Sequence, residues 1–343
     1  MRHRYLYCIF VWAFCSSVSL AASSDTAMSY MLTYGPAGDP VTRLNYGLIA
    51  ISVAVAVIIG ALVLIAAFRH RQPPTQDPGG RLPVGPSQGG MGWIYVGTGI
   101  STVVLLVCAV WNATTLSAVA APHRPATLTI EVTAHQWWWE LKYPGESPSQ
   151  LMVTANEVHI PVGEPVRLKL DSDDVIHSFW IPQLAGKTDV IPGQTNYAWL
   201  QADAAGRYRG QCGEYCGMQH AHMALYVVAE DRNHFNTWRQ QQSRDAPSPG
   251  SSQASQGSAV FQTHCAVCHT VRGAGGTAGI LGPDLTHLMG RSTIASGLLE
   301  NNTGNLHGWI ANPQGLKPGT RMPQMDLSPA DLHAAVAYLQ TLQ

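Results

Sequence analysis

The sequence predicts three units in series: a hairpin of two membrane-spanning helices, an all-β domain, and a helical C-terminal domain. Three observations predict this. Residues 48–68 and 93–116 carry no charged side chain. Past them, apolar and polar residues alternate with a period of two. Near the C-terminus, Ser328-Pro329-Ala330-Asp331 is a capping-box variant with proline at the first helical position, opening a helix over 329–341. A length of 343 residues sets a soft expectation of about two domains of roughly 100 to 200 residues each, but the composition is too uneven for one globule.

In chain order, residues 1–21 read as a secretory signal: Arg2 and Arg4, an apolar run over 6–14, then Ser19-Leu20-Ala21 with small residues where a signal peptidase reads. That run is about half of the roughly 20 residues a bilayer span needs, so it is too short for an anchor. Residues 22–120 form the hairpin. The first span, 48–68, is rich in Ile, Val and Ala and runs straight into Arg69-His70-Arg71. In the second, Gly97, Thr98, Gly99, Ser101 and Thr102 are small residues of the kind that let helices approach in lipid. Arg69, Arg71 and Arg81 lie between the spans, against Arg43 alone before the first, so the hairpin runs outside-in-outside. Everything after about residue 117 then lies outside the cytoplasmic membrane.

Residues 124–238 form the β domain. Leu128, Ile130 and Val132 alternate with Thr129, Glu131 and Thr133, and Val166, Leu168 and Leu170 repeat the pattern. Turns at Tyr143-Pro144-Gly145 and Pro161-Val162-Gly163-Glu164 break the alternation, which argues for an antiparallel sandwich or barrel. In Gln136-Trp137-Trp138-Trp139 successive strand side chains point to opposite faces, so at least one indole is expected to be exposed. Residues 240–257 are polar and rich in Ser, Pro and Gly, and read as a flexible linker. The helical domain follows over 258–343.

Seven cysteines and a net charge of −1 frame the chemistry. The charge gives no reason to expect a nucleic-acid partner. Cys8 and Cys15 leave with the signal, and Cys108 sits in the second span as a small apolar residue. The remaining four form two tight pairs, each beside a histidine, which is cofactor ligation rather than a disulfide framework.

The first pair lies in C-G-E-Y-C-G-M-Q-H-A-H-M, residues 212–223. Thiolate, imidazole and thioether together select copper, and a second cysteine at i+4 suggests two ions sharing both sulfurs. A disulfide would explain neither His220 nor Met223. A further ligand is expected upstream, where His177 follows a strand-like stretch. The second pair, Cys265-Ala266-Val267-Cys268-His269, is the covalent c-type haem attachment motif. Cysteines three apart on one helical turn meet two vinyl groups while the adjacent histidine reaches the iron. Met289, Met322 and Met325 are all available as a sixth ligand.

D-V-I-H-S-F-W-I-P-Q-L-A-G-K-T-D-V-I-P-G over 174–193, followed by C-x-E-x-C-x-x-x-H-x-x-M, resembles subunit II of haem-copper cytochrome c oxidase. The resemblance implies a cupredoxin-like Greek-key fold for the β domain. It implies that Cys212 and Cys216 bridge the coppers of a dinuclear CuA centre, with His177 and His220 as terminal ligands. Met223 and the backbone carbonyl of Glu214 complete the set, and the Glu214 side chain is carried over as a magnesium ligand at the boundary with subunit I. Trp137, in a segment similar to the family's Q-W-[YFW]-W, is cast as an electron-entry residue; an aromatic core pair plus a strand-edge Trp is the alternative.

The C-terminal domain resembles an all-α class I cytochrome c. By that resemblance the Pro283 carbonyl of Gly282-Pro283-Asp284-Leu285 orients His269, Lys317-Pro318-Gly319-Thr320-Arg321-Met322-Pro323 is the axial-methionine loop, which selects Met322, and Tyr338 packs near Gly257 and Phe261. A methionine partner raises the haem potential, as suits an electron carrier.

Together the likenesses imply subunit II of a caa-type oxidase in the bacterial inner membrane, multi-pass, with both cofactor domains on the periplasmic face. The implied path runs from a cytochrome c donor to haem c, to CuA, and to haem a of subunit I, where oxygen is reduced and protons move, with subunit III as a further partner. The alternative is a membrane-tethered CuA and haem c donor to a different reductase. One departure stands out: related subunits often carry a glutamate three residues before the Trp of the second span, and this chain has Gly90 there. Proton uptake is therefore expected to rely on residues of subunit I, or to be altered.

Overall fold

The computed structural model describes residues 27–69, 90–145, 147 and 150–343. The expected signal segment and the basic loop between the apolar stretches lie outside the described residues.

Two long helices open the chain, α1 (Asp39–Phe68) and α2 (Gly90–Ala120). Pro40 in the first turn of α1 suits a position whose N–H has no intrahelical partner, and Thr33 Oγ1 donates to Asp39 Oδ1 there at 2.6 Å. Both helices exceed the charge-free stretches read from sequence. At 1.5 Å per residue each is about 45 Å long, against about 30 Å of hydrocarbon, so their outer turns can stand clear of lipid. Those outer turns meet where Gly47 faces Trp111: a Cβ on Gly47 would lie 2.2 Å from the indole. Val57, Leu62, Ile65 and Leu105 point outward and exposed, the arrangement for a lipid solvent. Three bonds seat the β domain on the hairpin: Trp199 Nε1 to the Val119 carbonyl, Tyr34 N to the Gln183 carbonyl, and Asp203 N to the Tyr34 carbonyl, each 2.8 Å.

The β domain contains β1 (Leu128–His135), β2 (Trp138–Tyr143), β3 (Met152–Ala155), β4 (Glu157–Pro161), β5 (Val166–Ser172), β6 (His177–Phe179), β7 (Thr188–Val190), β8 (Asn196–Leu200), β9 (Gly206–Gln211) and β10 (Ala224–Glu230). One sheet runs β3-β2-β1-β5-β8 and a second β4-β10-β9, with β6 and β7 paired beside them. Alternation sets the core: Ile130, Val132 and Ala134 of β1 and Val166, Leu168 and Leu170 of β5 are buried, together with Val158, Ile160, Leu225 and Val227 of the other sheet. The expected antiparallel arrangement holds for β1–β2, β2–β3, β5–β8, β6–β7 and β9–β10 but not throughout. β1 and β5 run parallel, as do β4 and β10, because chain-distant strands are brought side by side by crossover rather than by hairpin turns.

Helix α3 (Arg232–Gln242) closes this domain, its N-cap Asp231 accepting from Asn233 N and His234 N. The helical domain comprises α4 (Ser252–His264), α5 (Thr303–Ala311), α6 (Pro313–Leu316) and α7 (Pro329–Leu339), with a short ladder of β11 (Thr293–Ile294) and β12 (Leu299–Glu300). The linker reading of 240–257 is too long at both ends. Residues 240–242 finish α3, and 252–257 are the first turns of α4, capped by Ser251, whose hydroxyl accepts from Ala254 N at 3.1 Å. Gly257 explains this: it packs so tightly on α7 that a Cβ would lie 1.9 Å from the Ala334 carbonyl oxygen. Phe261 and Tyr338 pack nearby, their rings tilted at 59° with centroids 5.6 Å apart. Ser328 accepts from Asp331 N at 3.1 Å and starts α7, which ends at Leu339.

The helical domain sits against the β domain. Ser292 N donates to the buried Glu157 carboxylate at 2.9 Å, and Ser296 and Ala224 exchange two bonds of 2.8 and 3.1 Å.

Candidate metal centre and haem site

Loop 212–223 joins β9 to β10, and its two ends are tied by Cys212 N donating to the Met223 carbonyl at 3.0 Å. Gly217 turns the loop with φ +113°, a conformation side chains resist, beneath Gln136 and Trp137. His177 enters from another strand, at the start of β6, and Gly213 N bonds the neighbouring Ser178 carbonyl at 2.9 Å. The folded β domain thus brings chain-distant donors to one place.

The sulfurs of Cys212 and Cys216 lie 3.7 Å apart as free thiols, beyond the roughly 2.05 Å of a disulfide. His177 Nδ1 is 3.8 Å from Cys212 Sγ, and His220 Nδ1 is 3.6 Å from Cys216 Sγ. Met223 Sδ is 3.8 Å from Cys216 Sγ, and the Glu214 carbonyl is 3.2 Å from Cys212 Sγ. All six donors expected from sequence are brought together. Two thiolates, two imidazoles, a thioether and a carbonyl make a soft set that fits a dinuclear copper site. The bond from Cys216 lowers the Cys212 thiol, while that shared proton and burial raise Cys216. The Glu214 carboxylate points elsewhere, half-buried and 3.3 Å from Lys187 Nζ.

Around this set the structure adds residues that sequence reasoning missed. Asp174 Oδ1 accepts from His177 Nε2 at 2.9 Å, which leaves Nδ1 free to face Cys212. Burial opposes the charge on His177, but its bonds to Asp174 and Cys212 prevail and raise its pKa. Gln136 Nε2 and Trp137 Nε1 both donate to the Cys216 carbonyl, at 2.8 and 3.0 Å. None of the three indoles is exposed, contrary to expectation. Trp139 is fully buried, Trp138 stacks on His135 with centroids 4.4 Å apart, and Trp137 lies 8% exposed beneath the helical domain. There Lys317 Nζ donates to the Trp137 carbonyl at 2.8 Å and the Ala295 carbonyl at 3.0 Å, and Gln219 Nε2 donates to the Pro318 carbonyl at 2.8 Å. Burial pulls the Lys317 ammonium down to about 7, against the opposing pull of Cys216.

In the helical domain, Cys268 N and His269 N both bond the Cys265 carbonyl at 3.0 Å, so the motif occupies a tight turn at the end of α4. His269 Nδ1 donates to the Pro283 carbonyl at 2.8 Å, leaving Nε2 as the ligand atom. Gly282 permits this: a Cβ there would lie 2.6 Å from the His269 ring. Burial lowers the His269 pKa and keeps the ring neutral, as iron ligation requires. Two cysteines at haem spacing beside an oriented, neutral imidazole fit a covalently held haem. Met322 and Met289 are both half-buried against the domain core. The Met322 loop is braced by Gln314, whose Nε2 donates to the Thr320 and Met322 carbonyls at 2.8 and 2.7 Å.

Residues 145–230 match the family described as cytochrome c oxidase subunit II, periplasmic domain, and residues 254–343 match the cytochrome c family. The chain is 36% identical to cytochrome c oxidase subunit 2 of Alkalihalophilus pseudofirmus over 300 residues, covering 86% of this chain and 85% of the relative. It is 33% identical to cytochrome c oxidase subunit 2 of Bacillus sp. strain PS3 over 228 residues, 63% of each chain. Among solved structures it is similar to the periplasmic domain of subunit II of the Bradyrhizobium japonicum oxidase, 30% identical, covering 35% of this chain and 95% of that one, with a TM-score of 0.33.

Proposed function

Since the chain belongs to the cytochrome c oxidase subunit II family, we propose that it is the electron-entry subunit of a caa-type oxidase, taking electrons from a cytochrome c donor and passing them to haem a of subunit I for proton-coupled reduction of oxygen. Its family implies a CuA centre in the cupredoxin-like domain and its second domain implies haem. When bound, these groups supply single-electron exchange with little rearrangement of their ligands.

The residues take the following roles. Cys212, Cys216, His177, His220, Met223 and the Glu214 carbonyl would hold the coppers, and the cupredoxin-like β domain holds these donors close together. Cys265 and Cys268 would tether the haem covalently, and His269 and Met322 would ligate its iron. The Glu214 carboxylate, paired with Lys187, would hold magnesium at the boundary with subunit I. Trp137 passes charge to the Cys216 backbone; buried under the Lys317–Met322 loop, it receives electrons from the chain's own haem domain rather than from an outside carrier. The two helices span the bacterial inner membrane, both domains face the periplasm, and subunit III completes the assembly.

The convergence of the six donors around Cys212 and Cys216 carries this reading. Paramagnetic resonance and optical spectra of the purified chain test it: a mixed-valence dicopper signal beside a low-spin haem c band is expected, and a mononuclear copper signal would remove CuA. Co-purification with a multi-span subunit carrying haem a supports an oxidase; its absence, with another reductase in its place, would redirect the assignment.

A further inference from the structure

The carboxylate of Asp174 is a junction between the two domains. Its side chain is 9% exposed and accepts four bonds. Oδ1 takes His177 Nε2 at 2.9 Å and Val175 N at 2.8 Å; Oδ2 takes Gln136 N at 2.7 Å and Arg321 Nη2 at 3.1 Å. Three donors come from the β domain and fix the group. The fourth comes from the haem domain, 147 residues further along the chain, on the residue just before Met322.

We propose that Arg321 is a positioning residue that latches the Met322 loop to His177 through Asp174, so that docking of the haem domain sets the orientation and basicity of a copper ligand. This rests on His177 and Met322 being the ligands assigned above. Charge balance couples the two. A nearly buried carboxylate with four donors is fully satisfied, and removing Arg321, its permanently cationic partner, leaves more of its charge to be met by the remaining donors. Of these, two are backbone N–H groups held in place by the chain, and the third is the imidazole. A stronger pull on Nε2–H makes Nδ1 a stronger donor, as carboxylate partners of metal-bound histidines do. The loop is also fastened at Lys317 to Trp137 and at Pro318 to Gln219, the residue before His220, so Arg321 is the third of three stitches along one short segment.

The test uses the purified oxidase carrying Arg321→Gln or Arg321→Lys. Arg321→Gln is expected to shift the dicopper hyperfine pattern and to slow electron transfer after flash reduction of haem c about fivefold, the scale of a half-exposed ion pair. Arg321→Lys restores most of both. Raising ionic strength slows the unmodified protein toward the Arg321→Gln rate and leaves that variant unchanged. A dicopper spectrum and transfer rate in Arg321→Gln equal to those of the unmodified protein, or a salt response that persists in the variant, overturns the latch. An unmodified protein without a dicopper signal or a haem band removes the functional reading itself, and the latch with it.

Discussion

The copper and haem sites are built in opposite ways. The copper donors come from two segments 35 residues apart, His177 and loop 212–223, and the β domain alone brings them within contact distance. The haem attachment residues are contiguous, on one turn ending α4, while the methionine that would complete the iron lies on a loop held as much by the copper domain as by its own. A site assembled by the fold is fixed once the fold forms. A site assembled from a local motif plus a docked loop depends on the docking.

Removing the Cys216 sulfur separates the two sites most strongly. Cys216→Ser is expected to abolish the mixed-valence signal and lower oxygen consumption by more than the roughly 10- to 100-fold seen when only outer-shell partners of a metal are lost. The haem band should be unchanged, because among the described residues the Cys216 side chain bonds Cys212, His220 and Met223 and no haem-site residue. Simultaneous loss of the haem band would show that the sites are not separable.

Next is Met322→Leu, which should lower the haem potential and alter the haem spectrum while leaving the dicopper signal in place. The same spectral change from Met325→Leu, with Met322→Leu silent, would move the axial ligand. Gly257→Ala sharpens the fold side of the comparison. A methyl there meets the Ala334 carbonyl, and overpacking of this kind costs about 1–3 kcal/mol, read as a lower unfolding temperature of the haem domain only.

How much of this was legible in the sequence follows the same division. The hairpin was legible because lipid demands long charge-free runs, and the copper site because four side-chain donors crowd into 212–223 with His177 marked by residue type upstream, whereas the Glu214 carbonyl followed only from the family resemblance. The Pro283 carbonyl and the Gly257, Phe261 and Tyr338 cluster lie where the resemblance to class I cytochromes c placed them. The parallel pairing of β1 with β5 was not legible, since alternation gives the buried face of a strand and not its partner. Residues 252–257 read as linker because Ser, Gln and Gly carry no apolar stripe, yet small size is what lets α4 approach α7. The indoles were misjudged because Trp137 is covered by a domain 180 residues away. No local pattern marks a bond such as Arg321 to Asp174.

The smallest expected effect concerns Lys317, which tests whether the docked face behaves as a buried interior. Undocked, its ammonium titrates at the ordinary 10.5; docked, burial lowers it to about 7. Between those values the undocked state binds more protons, so raising the pH through that window strengthens docking, and lowering it toward 7 weakens docking. The charge of Cys216 and the two carbonyls that accept from the ammonium favour its charged form and reduce the gain. Hydrogen exchange at Ser292 N, which donates to Glu157 across the same interface, reports docking directly. Its protection, corrected for the intrinsic rate at each pH, should rise from pH 7 to pH 10. Lys317→Met should flatten that slope without altering the dicopper spectrum, because no proton remains to be shed when the loop closes over Trp137. A slope that survives the substitution would place the titrating group elsewhere on the interface and leave Lys317 as a packing residue with two hydrogen bonds.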